Sequence, residues 1–285
     1  MTILNLDAIY GQQPDAILRE FSSLDEWTRF SDSIDVYDRR RMRAIVERAA
    51  RVGVQGIHTG FVREPDLLAN AEGLHWNLVA NGLDMRSRAV LDVVAASRFA
   101  TNKRNTTIYC GEALSQLALD LRGMYPRFVG SQYMPEPDKQ AQMYPIVHQD
   151  IMALDLPDES FDLVLTIEVL EHIPDLAMSL REQARVLRPG GVMLATFPFH
   201  WGSDNTLQKA ELREGTIRHL VGTPEYHGDS MRDDGILVYQ IPGWDVVRLA
   251  ESCGFSRAGF IFYSTAIGGI IGHDLMGQFV FAAYK

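Results

Sequence analysis

Cysteine is scarce in this chain. There are two in 285 residues, Cys110 and Cys253, with no Cys-x-x-Cys spacing. A disulfide framework and a thiolate zinc site are thereby excluded. Positive charge is also in short supply, with 27 Lys and Arg against 37 Asp and Glu and a formal net charge of -10. No basic tract stands out, and a phosphate backbone is bound by clustered cations, so nucleic acid is not an expected partner. Long apolar runs are missing too. None is long enough to span a bilayer, and Met1 to Ile9 lacks the basic-then-apolar order of a secretory leader. The expectation is a cytoplasmic protein with no membrane partner.

What is present is concentrated between Val147 and Thr196. Phe161 to Ile167 is a nearly continuous apolar run after the polar turn Pro157 to Ser160, which suits a strand covered on both faces. Asp175 is placed to cap a helix with Leu176, Leu180, Ala184 and Leu187 on one side. Pro189-Gly190-Gly191 ends that helix before a second β-prone run, Val192 to Phe197. Strand, helix and strand in this order need a right-handed crossover, with ligands expected at the carboxyl ends of the strands, near Glu168 and Pro198.

Earlier in the chain, Thr107 to Cys110 reads as a strand and Gly111-Glu112 as a turn, with Ala113, Leu114, Leu117 and Leu121 as the following helix face. Phe128 to Tyr133 and Ile146 to His148 are further strands, and Phe260 to Tyr263 and Phe279 to Ala282 the last two. Residues 1–34 show no clear period and read as irregular with one short helix. Asp35 to Val52 repeats Met42, Ile45, Val46 and Ala49 at helical spacing. Gly53 to Trp76 is turn-rich and compatible with a small hairpin. Asp84 reads as a cap for a helix carrying Val90, Val93 and Val94. One histidine pair, His58 and His75, does not make a tetrahedral metal site.

The Asp150 turn, the strand Phe161-Asp162-Leu163-Val164, its exit Glu168-Val169-Leu170-Glu171-His172 and the turn Leu187-Arg188-Pro189-Gly190-Gly191 resemble, in order and spacing, the class I S-adenosylmethionine-dependent methyltransferase family. The resemblance runs from about Thr106 to Lys285. It implies an α/β, Rossmann-like fold: a seven-stranded, mostly parallel sheet with helices on both faces. To this the sequence adds a largely helical N-terminal extension over 1–100, before a core over 101–285 with an acceptor-site insertion at 199–241.

Carried over residue by residue, the resemblance implies a binding site for S-adenosyl-L-methionine. Gly111 lies in the glycine-rich loop, which is degenerate here: Tyr109 stands where the family has an acid, and Ala113 and Ser115 stand for glycines. Glu112 is the substitute acid for the cofactor's ammonium. Gln132 stands where an acid usually takes the ribose hydroxyls, and Tyr133 or Met134 lies at the adenine face. Asp150 and the Ile151 backbone grip adenine, and Glu168 lines the methionyl part. The implied function is methylation of a small molecule, with oxygen of a sugar, glycan precursor or secondary metabolite as acceptor. The degenerate positions leave an alternative, a methyltransferase-like partner or scaffold protein with weak or no cofactor binding. A homodimer is compatible with the sequence.

A hydroxyl acceptor must lose a proton, and histidine titrates in the right range. His227, His200 and His219 in the insertion are the candidate bases, with Glu225 as a carboxylate alternative. His227 lies between Glu225 and Asp229, beside Gly228. A metal is not expected: no thiolate site is available, and Glu225, His227 and Asp229, at alternate positions, suit one strand face or a turn as well as a ligand set.

Overall fold

The computed structural model describes residues 4–67, 78–229, 232–272 and 274–285. His75 therefore lies outside the described residues. We label eight strands: β1 (Ile17–Phe21), β2 (Thr107–Cys110), β3 (Arg127–Gln132), β4 (Val147–His148), β5 (Phe161–Ile167), β6 (Leu187–Thr196), β7 (Arg257–Ser264) and β8 (Gln278–Tyr284). The helices are α1 (Leu6–Tyr10), α2 (Leu24–Ser31), α3 (Arg39–Val52), α4 (Met85–Ala95), α5 (Gln116–Met124), α6 (Pro137–Gln142), α7 (Leu176–Val186) and α8 (Asp245–Ser252).

The strands form one mostly parallel sheet in the order β1-β7-β8-β6-β5-β2-β3-β4. The pairs β6-β5, β5-β2, β2-β3 and β3-β4 are parallel, and β6-β8 and β1-β7 antiparallel. Among the described residues the sheet has eight strands, not the expected seven. The added strand is β1. Residues 1–34 are therefore not irregular: β1 lies there beside two helices, so the N-terminal region is not clearly helical, while the hairpin of Val54–Gly56 with Gly60–Val62 lies within the turn-rich segment from Gly53 to Trp76. No helix of the described residues is long and apolar enough to cross a membrane.

Two compact units are present. One comprises 1–21, 25–106 and 260–280, the other 22–24, 107–259 and 281–285. Residues 260–280 cluster with the first unit and 107–259 with the second.

The first unit has an aromatic centre. The buried Trp27 ring lies 4.8 Å from Phe279, 5.1 Å from Phe262 and 5.5 Å from Phe21, between ring centroids. Such large buried rings carry much of a core's energy. Asp84 caps α4 as expected, accepting from the N–H of Ser87, and α3 is capped by Asp38, which accepts from the N–H groups of Arg40 and Arg41. A buried polar network joins Asp92, which accepts from His58 N at 2.8 Å and from the Tyr263 hydroxyl at 3.0 Å, with Gln13. Arg88, also buried, donates to the carbonyls of Gly268 and Gly269.

The second unit holds the strand ends expected to bind ligand. β5 buries every side chain except that of Asp162, which is half-buried. Asp162 accepts from the backbone N–H and the hydroxyl of Thr107, both at 2.8 Å, pinning the start of β2 beside β5. Asp175 caps α7, accepting from Met178 N at 2.9 Å. α7 ends at Val186, so Leu187 belongs to β6 rather than to the helix face. Arg188 to Gly191 forms an irregularity within β6, where the register steps from Leu187↔Phe161 to Val192↔Leu163, and Gly190 takes φ 81°. α5 begins only at Gln116, so Ala113 and Leu114 lie in the preceding loop.

Candidate functional site

The expected cofactor residues come from four neighbouring parallel strands. Cys110 pairs with Leu165 on one side and Gly130 on the other, and Gln132 pairs with His148. The carboxyl ends of β5, β2, β3 and β4 therefore present Glu168, Gly111-Glu112, Gln132-Tyr133 and Asp150-Ile151 along one edge. Glu112, Gln132, Asp150 and Glu168 are half-buried, Ile151 is buried, and Tyr133 is 55% exposed. Met134 is buried, and the exposed Tyr133 ring has its centroid 5.5 Å from that of His148.

The degenerate loop positions each have a local partner. The Tyr109 hydroxyl meets the Ser131 hydroxyl at 2.9 Å in the interior, and burial raises its pKa. Ser115 caps α5, accepting from Ala118 N at 3.2 Å, while its own hydroxyl donates to the Glu112 carboxylate. A serine therefore serves here as a helix cap where a glycine would leave the first turn unsatisfied. The Gln132 Oε1 accepts from Ala113 N at 3.4 Å. Asp150 accepts from Met152 N at 2.8 Å, closing its own turn with one carboxylate oxygen. Glu168 holds φ 52° while its N–H donates to Thr196 O at 2.8 Å. A non-glycine residue in that region is uncommon, and such strain concentrates at functional sites.

Beyond Glu168 the chain makes a short 3-10 turn, Leu170–His172, and the insertion folds onto it. Tyr239 N donates to Glu171 O at 2.8 Å, and the Gln240 amide donates to the carbonyls of Leu170 and Ile173, both at 2.8 Å. Within the insertion, Leu207–Gln208 pairs with Gln240–Ile241, and between them lie the hairpins Ala210–Arg213 with Thr216–His219 and Tyr226–Asp229 with Arg232–Leu237. The second hairpin brings His227 to Glu171 and His172.

These three residues form the one group of its kind among the described residues: one ligating atom from each, all within 4.8 Å of one another. Glu171 is fully buried, and neither carboxylate oxygen has a hydrogen-bond partner. His172 Nε2 and His227 Nδ1 both face Glu171 Oε1 at 3.6 Å, beyond hydrogen-bonding distance. Each ring is fixed through its other nitrogen. His172 Nδ1 lies 2.9 Å from Leu237 O, and a carbonyl only accepts, so Nδ1 carries the proton. His227 Nε2 lies 3.1 Å from Glu225 Oε1, and Glu225 is in turn paired with Lys209. Lys209 holds the Glu225 carboxyl below its ordinary pKa. Burial pushes Glu171 up to about 7, and Glu171 with Glu225 raises His227.

Of the expected bases, His227 and Glu225 join this group and His200 and His219 do not. The latter two are exposed, His200 at the end of the insertion's entry and His219 opposite Ala210 in the first hairpin. The neighbouring Gly228 has open space around it and carries no special backbone requirement; the constrained glycine is Gly235, at φ 73°, where a Cβ would come 2.5 Å from His227 O. Glu171 was the residue that sequence reasoning passed over. Its signal was an ionisable pair, Glu171-His172, immediately after a buried strand.

Residues 108–195 match the family described as methyltransferase domain. Over 92 residues the chain is 38% identical to the Probable S-adenosylmethionine-dependent methyltransferase of Mycolicibacterium smegmatis, covering 31% of this chain and 36% of that protein. It is 52% identical over 44 residues to 27-O-demethylrifamycin SV methyltransferase of Amycolatopsis mediterranei, covering 15% of this chain and 16% of the other. The chain thus aligns with only a minor part of these curated relatives' lengths. A solved structure of Burkholderia thailandensis 1,6-didemethyltoxoflavin-N1-methyltransferase, with bound 1,6-didemethyltoxoflavin and S-adenosylhomocysteine, is 16% identical over 70% of this chain and 77% of that one, with a TM-score of 0.39.

Proposed function

We propose that this chain, whose residues 108–195 match a methyltransferase domain, is a class I S-adenosylmethionine-dependent methyltransferase that methylates an oxygen of a small molecule. The cofactor, when bound, supplies the methyl group from its sulfonium and leaves as S-adenosylhomocysteine. The residues at the strand ends suit that group in chemistry. Three carboxylates, Glu112, Asp150 and Glu168, are half-buried along one edge with the Gln132 amide among them. Such a set serves an ammonium, ribose hydroxyls and an exocyclic amine. Gly111 keeps side-chain bulk away from the loop, and the Ile151 backbone is held beside Asp150.

The acceptor's class rests on one observation, the Glu171-His172-His227 group. A methyl transfer to an already nucleophilic nitrogen or sulfur needs alignment and exclusion of water but no ionisation step. A hydroxyl does need one, and a polar group buried on the segment directly after Glu168 supports an oxygen acceptor. A sugar, glycan precursor or secondary metabolite fits an insertion of two hairpins over this segment. Incubation with S-adenosylmethionine and paired acceptors that differ only in a hydroxyl or an amine tests this reading. Mass spectrometry should find the methylated hydroxyl compound; transfer to the amine alone would reject the oxygen assignment.

A second reading, a methyltransferase-like partner or scaffold with weak cofactor binding, is favoured by the Tyr109–Ser131 hydrogen bond, which closes the position where an acid is expected. Absence of S-adenosylhomocysteine binding by folded protein would decide for it.

A further inference from the structure

We propose that Glu171, His172 and His227 bind a divalent first-row transition-metal ion that activates the acceptor hydroxyl. This inference rests on the proposed oxygen acceptor for its chemical purpose, but not for its geometry. The sequence reading expected no metal because it weighed His227 with its neighbours Glu225 and Asp229, whose alternation suits a strand face or a turn. The fold groups it instead with a buried carboxylate and a second imidazole.

Three observations carry the assignment. First, Glu171 is 0% exposed and both its oxygens are without a hydrogen-bond partner. A buried carboxyl left so is costly in either protonation state, whereas a bound cation satisfies it. Second, two imidazoles turn the same kind of atom toward it: His172 Nε2 and His227 Nδ1, each 3.6 Å from Glu171 Oε1. Third, the opposite nitrogen of each ring already donates a hydrogen bond, to Leu237 O at 2.9 Å and to Glu225 Oε1 at 3.1 Å. Those bonds select the tautomers in which the inward nitrogens carry lone pairs. Metal-ligating histidines are oriented in this way by carbonyls and carboxylates behind them.

The donor set is two imidazoles and one carboxylate. It suits zinc, iron, cobalt or nickel better than magnesium, which prefers oxygen ligands and retains water. Three protein ligands leave coordination positions open, as in catalytic rather than structural sites. The His227 side chain is 30% exposed, so the opening lies on its side of the group. An acceptor hydroxyl bound there becomes more acidic and releases its proton to water. Its oxygen then forms the new O–C bond as the S–C bond breaks, the bonding pair stays on sulfur, and the ion undergoes no redox change. Glu225 and Lys209 are positioning residues, acting through His227.

The test uses the full chain, stripped with a chelator and titrated calorimetrically with Zn²⁺, Mn²⁺ and Mg²⁺, with Co²⁺ added for its visible ligand-field spectrum. One equivalent of Zn²⁺ or Co²⁺ should bind, with Mg²⁺ much weaker. Glu171→Gln and His227→Gln should each weaken Zn²⁺ binding by more than about a hundredfold and change the Co²⁺ spectrum, and Glu225→Gln should weaken it about 10- to 100-fold. Circular dichroism checks that each variant is folded; His227→Gln, on a partly exposed hairpin, keeps the test open should Glu171→Gln fail to fold. No stoichiometric binding, or binding unchanged in folded His227→Gln, would overturn the proposal. S-adenosylhomocysteine titration of the same samples separates the two claims: cofactor binding without metal binding refutes the metal alone, and metal binding without cofactor binding refutes the methyltransferase reading alone.

Discussion

His227 Nδ1 faces Glu171 Oε1 at 3.6 Å, joining the second hairpin of the insertion to the segment that leaves β5. Neither residue makes a site alone. Glu171 is fixed by the parallel sheet and its exit turn, whereas His227 arrives on a hairpin whose register steps between His227 and Asp229. The geometry of that hairpin therefore controls the chemistry proposed for the group.

Gly235 is the control point. It stands at φ 73°, and a Cβ there would fall 2.5 Å from His227 O. Gly235→Ala should cost the hairpin about 1 kcal/mol or more from the left-handed backbone alone, with the clash added. The expected readout is loss of turnover with S-adenosylhomocysteine affinity within about twofold of wild type, because the strand-end residues are untouched. Gly228→Ala, in open space, should be close to silent in the same assays. Equal effects at the two glycines would remove the special role given to Gly235.

Asp150 is expected to have two roles that substitutions can separate. One oxygen accepts from Met152 N at 2.8 Å. Asp150→Asn keeps an acceptor for that turn and removes the charge; Asp150→Ala removes both. S-adenosylhomocysteine affinity should fall by about 1 to 3 kcal/mol in each, the usual cost of unpairing a hydrogen-bonded ligand group. Only the alanine variant should also lower the melting temperature. Undiminished affinity in both folded variants would exclude Asp150 from the cofactor site.

Gln132→Glu restores the acid that the resemblance leads one to expect. A glutamate still offers an oxygen to Ala113 N, so the local hydrogen bond survives. Charge-assisted hydrogen bonds are about twice as strong as neutral ones, so S-adenosylhomocysteine should bind several-fold tighter. Weaker binding, measured by calorimetry, would mean that Gln132 does not face the ribose.

In the first unit, Asp92→Ala should destabilise the fold by about 2 kcal/mol or more, because it removes the acceptor of His58 N and of the Tyr263 hydroxyl and takes a carboxylate away from the buried Arg88 charge. Urea unfolding followed by circular dichroism measures this. A loss below about 1 kcal/mol would show that the network around Asp92 contributes little.

Sequence patterns revealed the second unit better than the first. β5, α7 and β6 follow from an apolar run, a capping aspartate and a Pro-Gly-Gly turn, each a local signal. β1 was illegible because Ile17–Phe21 is five residues long with Arg19 and Glu20 in its middle. It becomes a strand only by pairing with β7, which is distant in sequence. For the candidate site, Asp150, Glu168 and their neighbours were legible because short, ordered motifs place them. His227 was recognised for its flanking carboxylates, and Glu225 is indeed its partner. Its approach to Glu171 and His172 depends on how the insertion folds back, through Tyr239 and Gln240, and no local spacing encodes that. Ser115 read as a weakened glycine position, although its cap on α5 gives it a purpose of its own.

The central claim is that the strand-end edge binds the methyl donor, and calorimetric titration with S-adenosylhomocysteine and S-adenosylmethionine tests it most directly. One saturable site per chain for both compounds, weakened by Asp150→Ala, is the predicted result. Folded protein that shows no saturable binding of either compound would contradict the account.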